Sequence, residues 1–291
     1  MIDAARLTAD ALRYLPRKRI SRAMGRLADL RAPSPLLEQA VDAFARSYDI
    51  DLGEAVVPPG GFKTFDEFFT RKLREGARPA DPDPGAVLSP ADGRVEDLGP
   101  IDPEGSLLVK GRRYEVAELL GDAASAERYR GGSYFIVYLS PRDYHRVHAP
   151  VSGAVVELRH VPGTLYPVNA IGVTHVPQLF AKNERVAVVQ RTERRGEVAT
   201  IMVGAIGVGR ISVCFDDLVT NVGRAPGVRR YGEDGPPIER AEELGVFHIG
   251  STAIVFVPPE AGASRFVVTA GAQVRVGQAI LRGEGAEGSA P

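Results

Sequence analysis

Apolar residues follow two different periodicities along the chain, and the change between them divides the sequence into two parts. Over residues 3–47 they recur every three or four positions, which predicts amphipathic helices interrupted at Pro16 and around Pro33 and Pro35. From Val87 onward, short apolar runs alternate with glycine and proline turns, which predicts β-strands. The clearest strand candidates are Ser133–Leu139, Ala154–His160, Arg185–Gln190, Val198–Val203, Arg210–Phe215, Ser251–Val257 and Ser264–Thr269.

Strands this short and this numerous are typical of an antiparallel sandwich or barrel. The sequence therefore predicts an α+β fold in which an N-terminal helical region, residues 1–47, lies on a mostly antiparallel, β-sandwich or barrel-like body, residues 48–282. One short helix, Tyr114–Leu120, is expected among the strands. The last residues, 283–291, are rich in Gly, Ala, Glu and Ser, and we expect a disordered tail there.

The overall composition excludes several classes of protein. A chain of 291 residues with 44% hydrophobic content can bury a sizeable core. Its net charge of −1 gives no reason to expect a nucleic-acid partner. The single cysteine, Cys214, rules out an internal disulfide and any metal site built from several cysteines. No apolar run reaches the roughly 18 residues of a membrane-spanning helix, so a membrane role would have to be peripheral.

Positive charge is concentrated at the N-terminus. Residues 1–31 carry eight basic and three acidic side chains, which gives them a net charge of +5. Within them Ile20, Met24 and Leu27 recur at helical spacing. A basic amphipathic helix can lie in an anionic lipid surface, and it can equally pack its apolar face on the protein's own body. The residues alone leave both alternatives open.

The tripeptide Gly250-Ser251-Thr252 precedes an apolar, strand-like run. A small residue followed by a hydroxyl nucleophile would let Ser251 attack its own chain, because Gly250 has no β-carbon and tolerates distorted backbone geometry. Taken alone, the same tripeptide is typical of a turn before a strand. Its meaning therefore depends on whether other segments supply the groups that such an attack needs.

Two of the five histidines, His145 and His148, lie three residues apart just after the predicted strand Ser133–Leu139. This spacing can place both rings on one side of a tight turn, and the ordinary pKa of histidine suits proton transfer near neutral pH. A metal pair is an alternative, but no companion motif supplies the remaining ligands, so no metal is predicted. The last alternative is that both are polar residues of a surface loop.

Asp92 lies before a glycine in the segment Ser89–Gly93. An aspartate in that position is typical of a turn, but a buried carboxylate can also orient an imidazole and stabilise its protonated form. Asp92, His148 and Ser251 thus form a candidate orienting acid, base and nucleophile. They are scattered along the chain, and the sequence does not show that they meet.

Together these segments resemble the phosphatidylserine decarboxylase proenzymes of the bacterial, membrane-associated type. The match covers nearly the whole chain and keeps the order of the motifs. Its most specific parts are the doubled-histidine segment and the Gly-Ser-Thr site. The matching segments are Thr64–Arg71, Leu73–Arg74, Pro90–Gly93, Leu139–Pro150, Tyr166–Asn169, Leu179–Val186, Val203–Ala205 and Gly250–Thr252.

The resemblance implies that the chain cleaves itself between Gly250 and Ser251. Ser251 would be the nucleophile, His148 the base and Asp92 the orienting acid. Attack on the carbonyl of Gly250 would give an ester, and elimination followed by hydrolysis would convert Ser251 into a pyruvoyl group. The covalent cofactor, pyruvate in this form, would then come from the chain itself.

The products implied by the resemblance are a β chain, 1–250, and an α chain, 251–291, which stay together as partners. The pyruvoyl group would form a Schiff base with the amine of phosphatidylserine, and loss of CO2 would lead to phosphatidylethanolamine in phospholipid biosynthesis. His145 is the candidate for contact with the substrate carboxylate or for proton delivery. Two weaker pocket candidates are Tyr144 and Asn183.

A lipid substrate changes the interpretation of the N-terminus. With the family in view, residues 1–47 are expected to dock on an anionic membrane by one-face insertion with basic anchoring. The expected location is the cell membrane, as a peripheral protein on its cytoplasmic face, and a homodimer is left open.

Two other functions also stay open at this stage. One is a hydrolase that keeps Ser251 intact within a lasting triad. The other is a non-enzymatic β-sandwich carrier, which would need an exposed lysine at a hairpin tip. The hairpin segment Ala149–Val155 has no lysine, which counts against a carrier.

Overall fold

A nine-stranded antiparallel sheet forms the frame of the protein. The computed structural model describes residues 16–207, 210–222, 227–232, 234–248, 252–259 and 264–283. In sheet order the strands are β11 (Val228–Arg230), β7 (Gly153–Val161), β8 (Arg185–Thr192), β9 (Gly196–Val203), β14 (Thr252–Val257), β5 (Ser133–Tyr138), β2 (Gly93–Pro100) and β16 (Gln273–Val274), with β12 (Pro237–Ile238) also paired to β7.

The strands at the centre of this large sheet are covered on both faces. Every residue of β14 is buried, and successive side chains point in opposite directions because a strand alternates its faces. Ile254 and Phe256 enter one hydrophobic core, whereas Val255 and Val257 enter the other. This double burial explains why the sequence of β14 is a continuous apolar run rather than an alternating one.

Two three-stranded antiparallel sheets cover one face of the large sheet. In the first, which we call the small sheet, β13 lies between its two neighbours, and Val147, Ile211 and Phe247 share a core with Val255. The strands of the small sheet are β6 (Arg146–His148), β13 (Glu243–His248) and β10 (Arg210–Val213). The strands of the other sheet are β1 (Val87–Leu88), β17 (Ala279–Gly283) and β15 (Ser264–Phe266).

Three helices precede the first strand within the described residues: α1 (Arg17–Ala28), α2 (Ser34–Tyr48) and α3 (Phe65–Phe69). Thr64 caps α3, because its hydroxyl accepts a hydrogen bond from the N–H of Glu67 at 3.0 Å. The Glu67 carboxylate reaches back to the N–H of Lys63 at 2.6 Å and completes a reciprocal cap. A 3₁₀ turn, Leu52–Glu54, lies between α2 and α3.

A hairpin and four further short helices follow β2 and cover the opposite face of the large sheet. Tyr114, Leu119 and Phe180 pack there in one core with Ile254 and Phe256. These elements are β3 (Ser106–Val109), β4 (Arg112–Glu115), α4 (Val116–Leu120), α5 (Ala123–Ala126), α6 (Ala170–His175), α7 (Leu179–Lys182) and a 3₁₀ turn, Glu127–Tyr129.

The predicted α+β class with antiparallel sheets is confirmed, and all named strand pairs are antiparallel. The large sheet is open rather than closed into a barrel, since β11 and β16 stand at its two ends along the described chain. The expected helix Tyr114–Leu120 is shorter than predicted, because Arg112–Glu115 form a strand before it. Within the described residues no helix is long and apolar enough to cross a membrane.

Two sequence predictions fall outside the described residues. The first helical pattern, residues 3–15, is one of them. The other is the disordered tail, of which only Gly283 is described, as the last residue of β17.

Candidate active site

Strands of the large sheet begin and end beside the predicted cleavage site. Tyr138, at the end of β5, faces Arg94 of β2 on one side and Thr252 of β14 on the other. Asp92 directly precedes β2, and Ser251 directly precedes Thr252. Neighbouring strands lie about 4.8 Å apart, so the fold brings Asp92 and the start of β14 to one end of the sheet, on either side of β5.

The loop after β5 carries both predicted histidines to the same end of the sheet. Ser140 and Asp143 close a turn with Pro141 in its second position, where proline is favoured. The Asp143 carboxylate accepts hydrogen bonds from the N–H and the hydroxyl of Ser140 at 2.6 and 2.7 Å. The N–H of His148 then donates to the carbonyl of Pro90 at 2.7 Å. This bond joins the histidine segment to the segment that contains Asp92.

His148 is held with a basic nitrogen available. Its Nδ1 lies 2.7 Å from the carbonyl oxygen of Ala241, which only accepts, so Nδ1 carries the proton. Its Nε2 accepts a hydrogen bond from the hydroxyl of Tyr144 at 3.2 Å. Burial lowers the pKa of His148, although the bond to Ala241 and the charges of Glu243 and Asp92 oppose the shift. The ring is therefore neutral near pH 7 and able to take up a proton at Nε2.

His145 is fully buried and packs against Phe69, with the ring centroids 4.1 Å apart and the ring planes tilted by 43°. Its Nδ1 donates to the carbonyl of Asp143 at 2.7 Å. Burial lowers the pKa of His145 to about 3. The positive charge of Arg71 lowers this pKa further, whereas the bond to the Asp143 carbonyl opposes the shift. Its Nε2 has no hydrogen-bond partner among the described residues. His145 is thus neutral, and its Nε2 offers a lone pair that no described residue uses.

Asp92 is oriented by an arginine rather than by a histidine. Arg78 Nε lies 2.9 Å from both carboxylate oxygens of Asp92, and Arg78 Nη2 lies 2.6 Å from one of them. The N–H of Val276 donates to the same carboxylate at 2.8 Å. Across the described chain, no hydrogen bond joins Asp92 to His148, so the direct contact expected from the triad hypothesis is not formed. The charge of Asp92 still acts on His148, because it raises that pKa.

The cleavage residues, Gly250 and Ser251, lie outside the described residues, but both flanks are described. On the upstream side, the N–H of Phe247 donates to the carbonyl of His145 at 2.9 Å. On the downstream side, Thr252 is buried, and its hydroxyl has no hydrogen-bond partner within the described part. The chain therefore enters this segment from β13, beside His145, and leaves it along β14.

A second histidine cluster, which sequence reasoning missed, lies at the end of β13. His248 Nδ1 donates to Asp66 at 2.8 Å, and a hydrogen bond of 3.1 Å joins His248 Nε2 and the hydroxyl of Ser212. Arg210 faces His248 across the strands and also donates to Asp66 at 3.1 Å. Burial would raise the pKa of Asp66, but the bond from His248 and the charges of His248 and Arg210 hold it below its usual value. Since 182 residues separate His248 from Asp66, no local spacing signalled this pair.

A cavity of about 430 Å³ lies beside the predicted residues and is lined in part by Asp92, Tyr144 and Asp143. Arg71 and Arg78 also line it. The Arg71 side chain is buried, and its Nε and Nη1 lack hydrogen-bond partners among the residues described. Arg71 belongs to the Thr64–Arg71 motif, so the sequence marked its segment without giving it a role.

The two weaker candidates differ in what they contact. Tyr144 is buried against the ring of His148 and hydrogen-bonds to it. Asn183 uses its amide to accept from the N–H of Tyr166 and to donate to the carbonyls of Tyr166 and Gly204 at 2.8 to 2.9 Å. Tyr144 therefore belongs to the candidate site, whereas Asn183 joins two loops. No group of three or more His, Cys, Asp or Glu side chains in the described ranges is arranged to hold a metal ion.

Comparison with known proteins gives one consistent family. Residues 65–282 match the phosphatidylserine decarboxylase family model. A phosphatidylserine decarboxylase proenzyme of Bordetella petrii is 46% identical over 249 residues, which cover 84% of this chain and 86% of the relative. Proenzymes of the same name from Azotobacter vinelandii and Anaeromyxobacter sp. are 44% and 43% identical over 271 and 279 residues. These cover 91% and 94% of this chain and 94% and 98% of the relatives. The family predicted from the sequence is thus confirmed, and the chain belongs to the phosphatidylserine decarboxylase family.

Proposed function

We propose that this protein is a self-processing enzyme that decarboxylates phosphatidylserine to phosphatidylethanolamine, with a pyruvoyl group made from Ser251 as its cofactor. One observation carries the proposal beyond family membership. The fold brings Asp92, His145 and His148, which are far from Ser251 in sequence, to the end of the sheet where β14 begins at Thr252. This placement of groups that can transfer protons beside the start of β14 supports the proposal.

In the first stage, His148 takes the proton from the Ser251 hydroxyl as that oxygen attacks the carbonyl of Gly250. The tautomer supports this role, because Nδ1 is bound to the Ala241 carbonyl and Nε2 is free of a proton. The hydroxyl of Tyr144 donates a hydrogen bond to Nε2 until the hydroxyl of Ser251 takes its place. Asp92 supports the protonated form of His148 by its charge, while Arg78 fixes the carboxylate.

The described residues fit a pyruvoyl group at position 251. The hydroxyl of Thr252 and the Nε2 of His145 are both buried and unpartnered within the described chain. The hydroxyl can therefore donate to a carbonyl or carboxylate at that position, and Nε2 can accept from a water or another donor. A pyruvoyl carbonyl supplies an electrophile that takes up an amine and accepts the electrons released as CO2 leaves. His145 would face the substrate carboxylate or deliver the proton that replaces CO2 once its Nε2 has taken up a proton, because Nδ1 is bound to the Asp143 carbonyl and the neutral ring has only a lone pair at Nε2.

The N-terminal helices support peripheral docking on an anionic membrane, by residues 1–47. Ser21 and Ala28 are the buried residues of α1, whereas Leu27 is 68% exposed. Other large apolar side chains left exposed on or beside α1 and α2 are Met24, Leu30, Leu36 and Tyr48. Basic residues of α1 flank this surface, as insertion of one face with basic anchoring requires. We infer a catalytic body over residues 48–282 and a location on the cytoplasmic face of the cell membrane.

The decisive experiment is a denaturing gel combined with intact-mass analysis. It compares the purified wild-type protein with the variant Ser251→Ala. We expect wild type to give chains of residues 1–250 and 251–291, with the shorter one blocked by pyruvoyl. Ser251→Ala should stay a single inactive chain. An active wild-type enzyme that remains one full-length chain would overturn the proposal, and would favour the hydrolase that keeps Ser251.

Membrane docking is tested by flotation on phosphatidylglycerol vesicles. The variant Ser251→Ala is compared with the double variant that also carries Leu27→Ser, and equal binding of the two would reject docking through this face.

A further inference from the structure

A second cavity, of about 360 Å³, lies between α1 and the small sheet, and it is rich in positive charge. Three arginines line it, Arg22, Arg26 and Arg210, against one carboxylate, Asp29. His248 also lines it. The cavity therefore carries an excess of positive charge and suits an anionic occupant of modest size.

The cations of this cavity differ in how firmly they are held. Arg210 donates through both terminal nitrogens to Asp29, at 2.8 and 2.9 Å, and also to Asp66. Arg22 donates through Nε to the side-chain oxygen of Asn221 at 2.8 Å. Neither Arg22 nor Arg26 is paired with a carboxylate in the part of the chain that the structure describes. Their charges are therefore available to a further anion.

The cavity is fixed to the strand that leads to the cleavage site. His248 is the last residue of β13, and its ring is held between Asp66 and Ser212. Gly250 follows two residues later. Two extended residues span at most about 7 Å, so only a short stretch of chain separates Gly250 from His248, which lines the cavity.

The proposed self-processing creates an anion at that position. Attack by the Ser251 oxygen on the Gly250 carbonyl breaks the amide bond and leaves an ester between the two residues. A base then removes the α-proton of Ser251, and the bond between its β-carbon and oxygen breaks. The electron pair of that bond stays with the oxygen, so Gly250 leaves as a carboxylate. The dehydroalanine left at position 251 takes up water and loses ammonia to give the pyruvoyl group.

We propose that the cavity lined by Arg22, Arg26 and Arg210 binds the new carboxylate of Gly250, and that it thereby promotes the elimination step as a leaving-group site. The inference rests on the proposed self-processing. It gives the basic residues of α1 that line the cavity a task besides attraction to lipid. Because the carboxylate appears only as the ester breaks, these cations stabilise the products of elimination more than the intact chain.

The test compares the double variant Arg22→Gln, Arg26→Gln with the double variant Lys18→Gln, Arg19→Gln. Both pairs lie on α1 and remove two positive charges, but Lys18 and Arg19 are exposed and do not line the cavity. Processing is followed after synthesis by denaturing gel, with and without hydroxylamine, which cleaves an ester between Gly250 and Ser251 but not an amide. We expect the cavity variant to eliminate about three- to tenfold more slowly and to accumulate the ester that hydroxylamine cleaves.

Processing at the wild-type rate in the cavity variant, with no excess of ester, would overturn the inference. Equal slowing in both variants would overturn it as well, because the effect would then follow charge rather than the cavity. Normal processing together with a raised KM for phosphatidylserine would assign the cavity to the lipid headgroup instead. If wild-type protein itself gives no pyruvoyl-blocked chain, the proposed function fails, and that outcome is separate from a failure of the cavity variant alone.

Discussion

The large sheet and the small sheet bury different kinds of residue. The central strands of the large sheet are apolar on both faces, and β14 contributes to two cores. The small sheet uses one face for the core, through Val147 and Phe247, and carries histidine, arginine and serine side chains elsewhere. The strands buried on both faces therefore lie in the large sheet, whereas the candidate base His148 lies in the small sheet. The cleavage segment connects the two sheets, since β13 ends at His248 and β14 begins at Thr252.

The sharpest test of this division is a change in the small sheet that removes chemistry and leaves stability nearly intact. His148→Gln keeps a polar side chain but removes the base at Nε2. Self-cleavage should slow by about 10²- to 10⁴-fold, the usual contribution of a positioned general base. Time courses of chain cleavage on denaturing gels measure the effect.

The matched control for that change is His175→Gln, at the end of α6 and outside the site. It should cleave at the wild-type rate. The thermal unfolding of His148→Gln, compared in the Ser251→Ala background so that all chains stay intact, should change little. A large loss of stability, or normal cleavage, would contradict the assignment of His148.

The converse test changes the large sheet. Ile254→Ala in β14 removes apolar contacts from a site with no exposure and should lower the free energy of unfolding by about 2–5 kcal/mol. Cleavage should continue at temperatures where the variant stays folded, because Ile254 contributes no polar group. Urea unfolding measures the first effect and intact mass the second.

Val228→Ala serves as the control within the same sheet. Val228 lies in the end strand β11 and is 40% exposed, so its loss should change stability by only about 0.5 kcal/mol. If Ile254→Ala were as mild as Val228→Ala, the central strand would not be the source of stability that its burial indicates.

The same division explains what the sequence predicted. Apolar runs such as Ser133–Tyr138 identified the large sheet, because burial on both faces leaves a continuous pattern. The small sheet was harder to predict because its strands are short. Its strands β6 and β13 contain both polar and apolar residues and were not predicted as strands. Its position depends on long-range pairing, and pairing leaves no mark on local periodicity.

The candidate site shows the same limit at the level of single residues. Asp92, His145 and His148 could be named because they stand in distinctive segments. Their partners could not, because the orienting bonds of Asp92 and His148 come from Arg78 and Ala241. Ala241 contributes only a backbone carbonyl, and no side-chain pattern reports which carbonyl will face a ring.

The smallest expected effect concerns the pH dependence of the free energy of unfolding. Among the groups of the candidate site, His145 should make the largest contribution to it. In the unfolded chain this histidine takes up a proton below pH 6.5, whereas burial holds the folded pKa at about 3. The unfolded state therefore binds more protons between these values, and stability falls as the pH is lowered through that window. One such group contributes a slope that approaches about 1.4 kcal/mol per pH unit.

Urea unfolding of Ser251→Ala, with and without His145→Gln, measures this contribution between pH 7.5 and 5. Asp66 has a lowered pKa in the folded protein, so its protonation reduces the stability of the protein only at pH values below this window. The variant with glutamine should show a slope shallower by about 1.4 kcal/mol per pH unit below pH 6.5, because it lacks one buried titratable ring. Above pH 7.5 the two slopes should agree, since the histidine is neutral in both states there. Equal slopes below pH 6.5 would mean that His145 is accessible to protons in the folded protein, and the neutral state assigned to its buried ring would have to be abandoned.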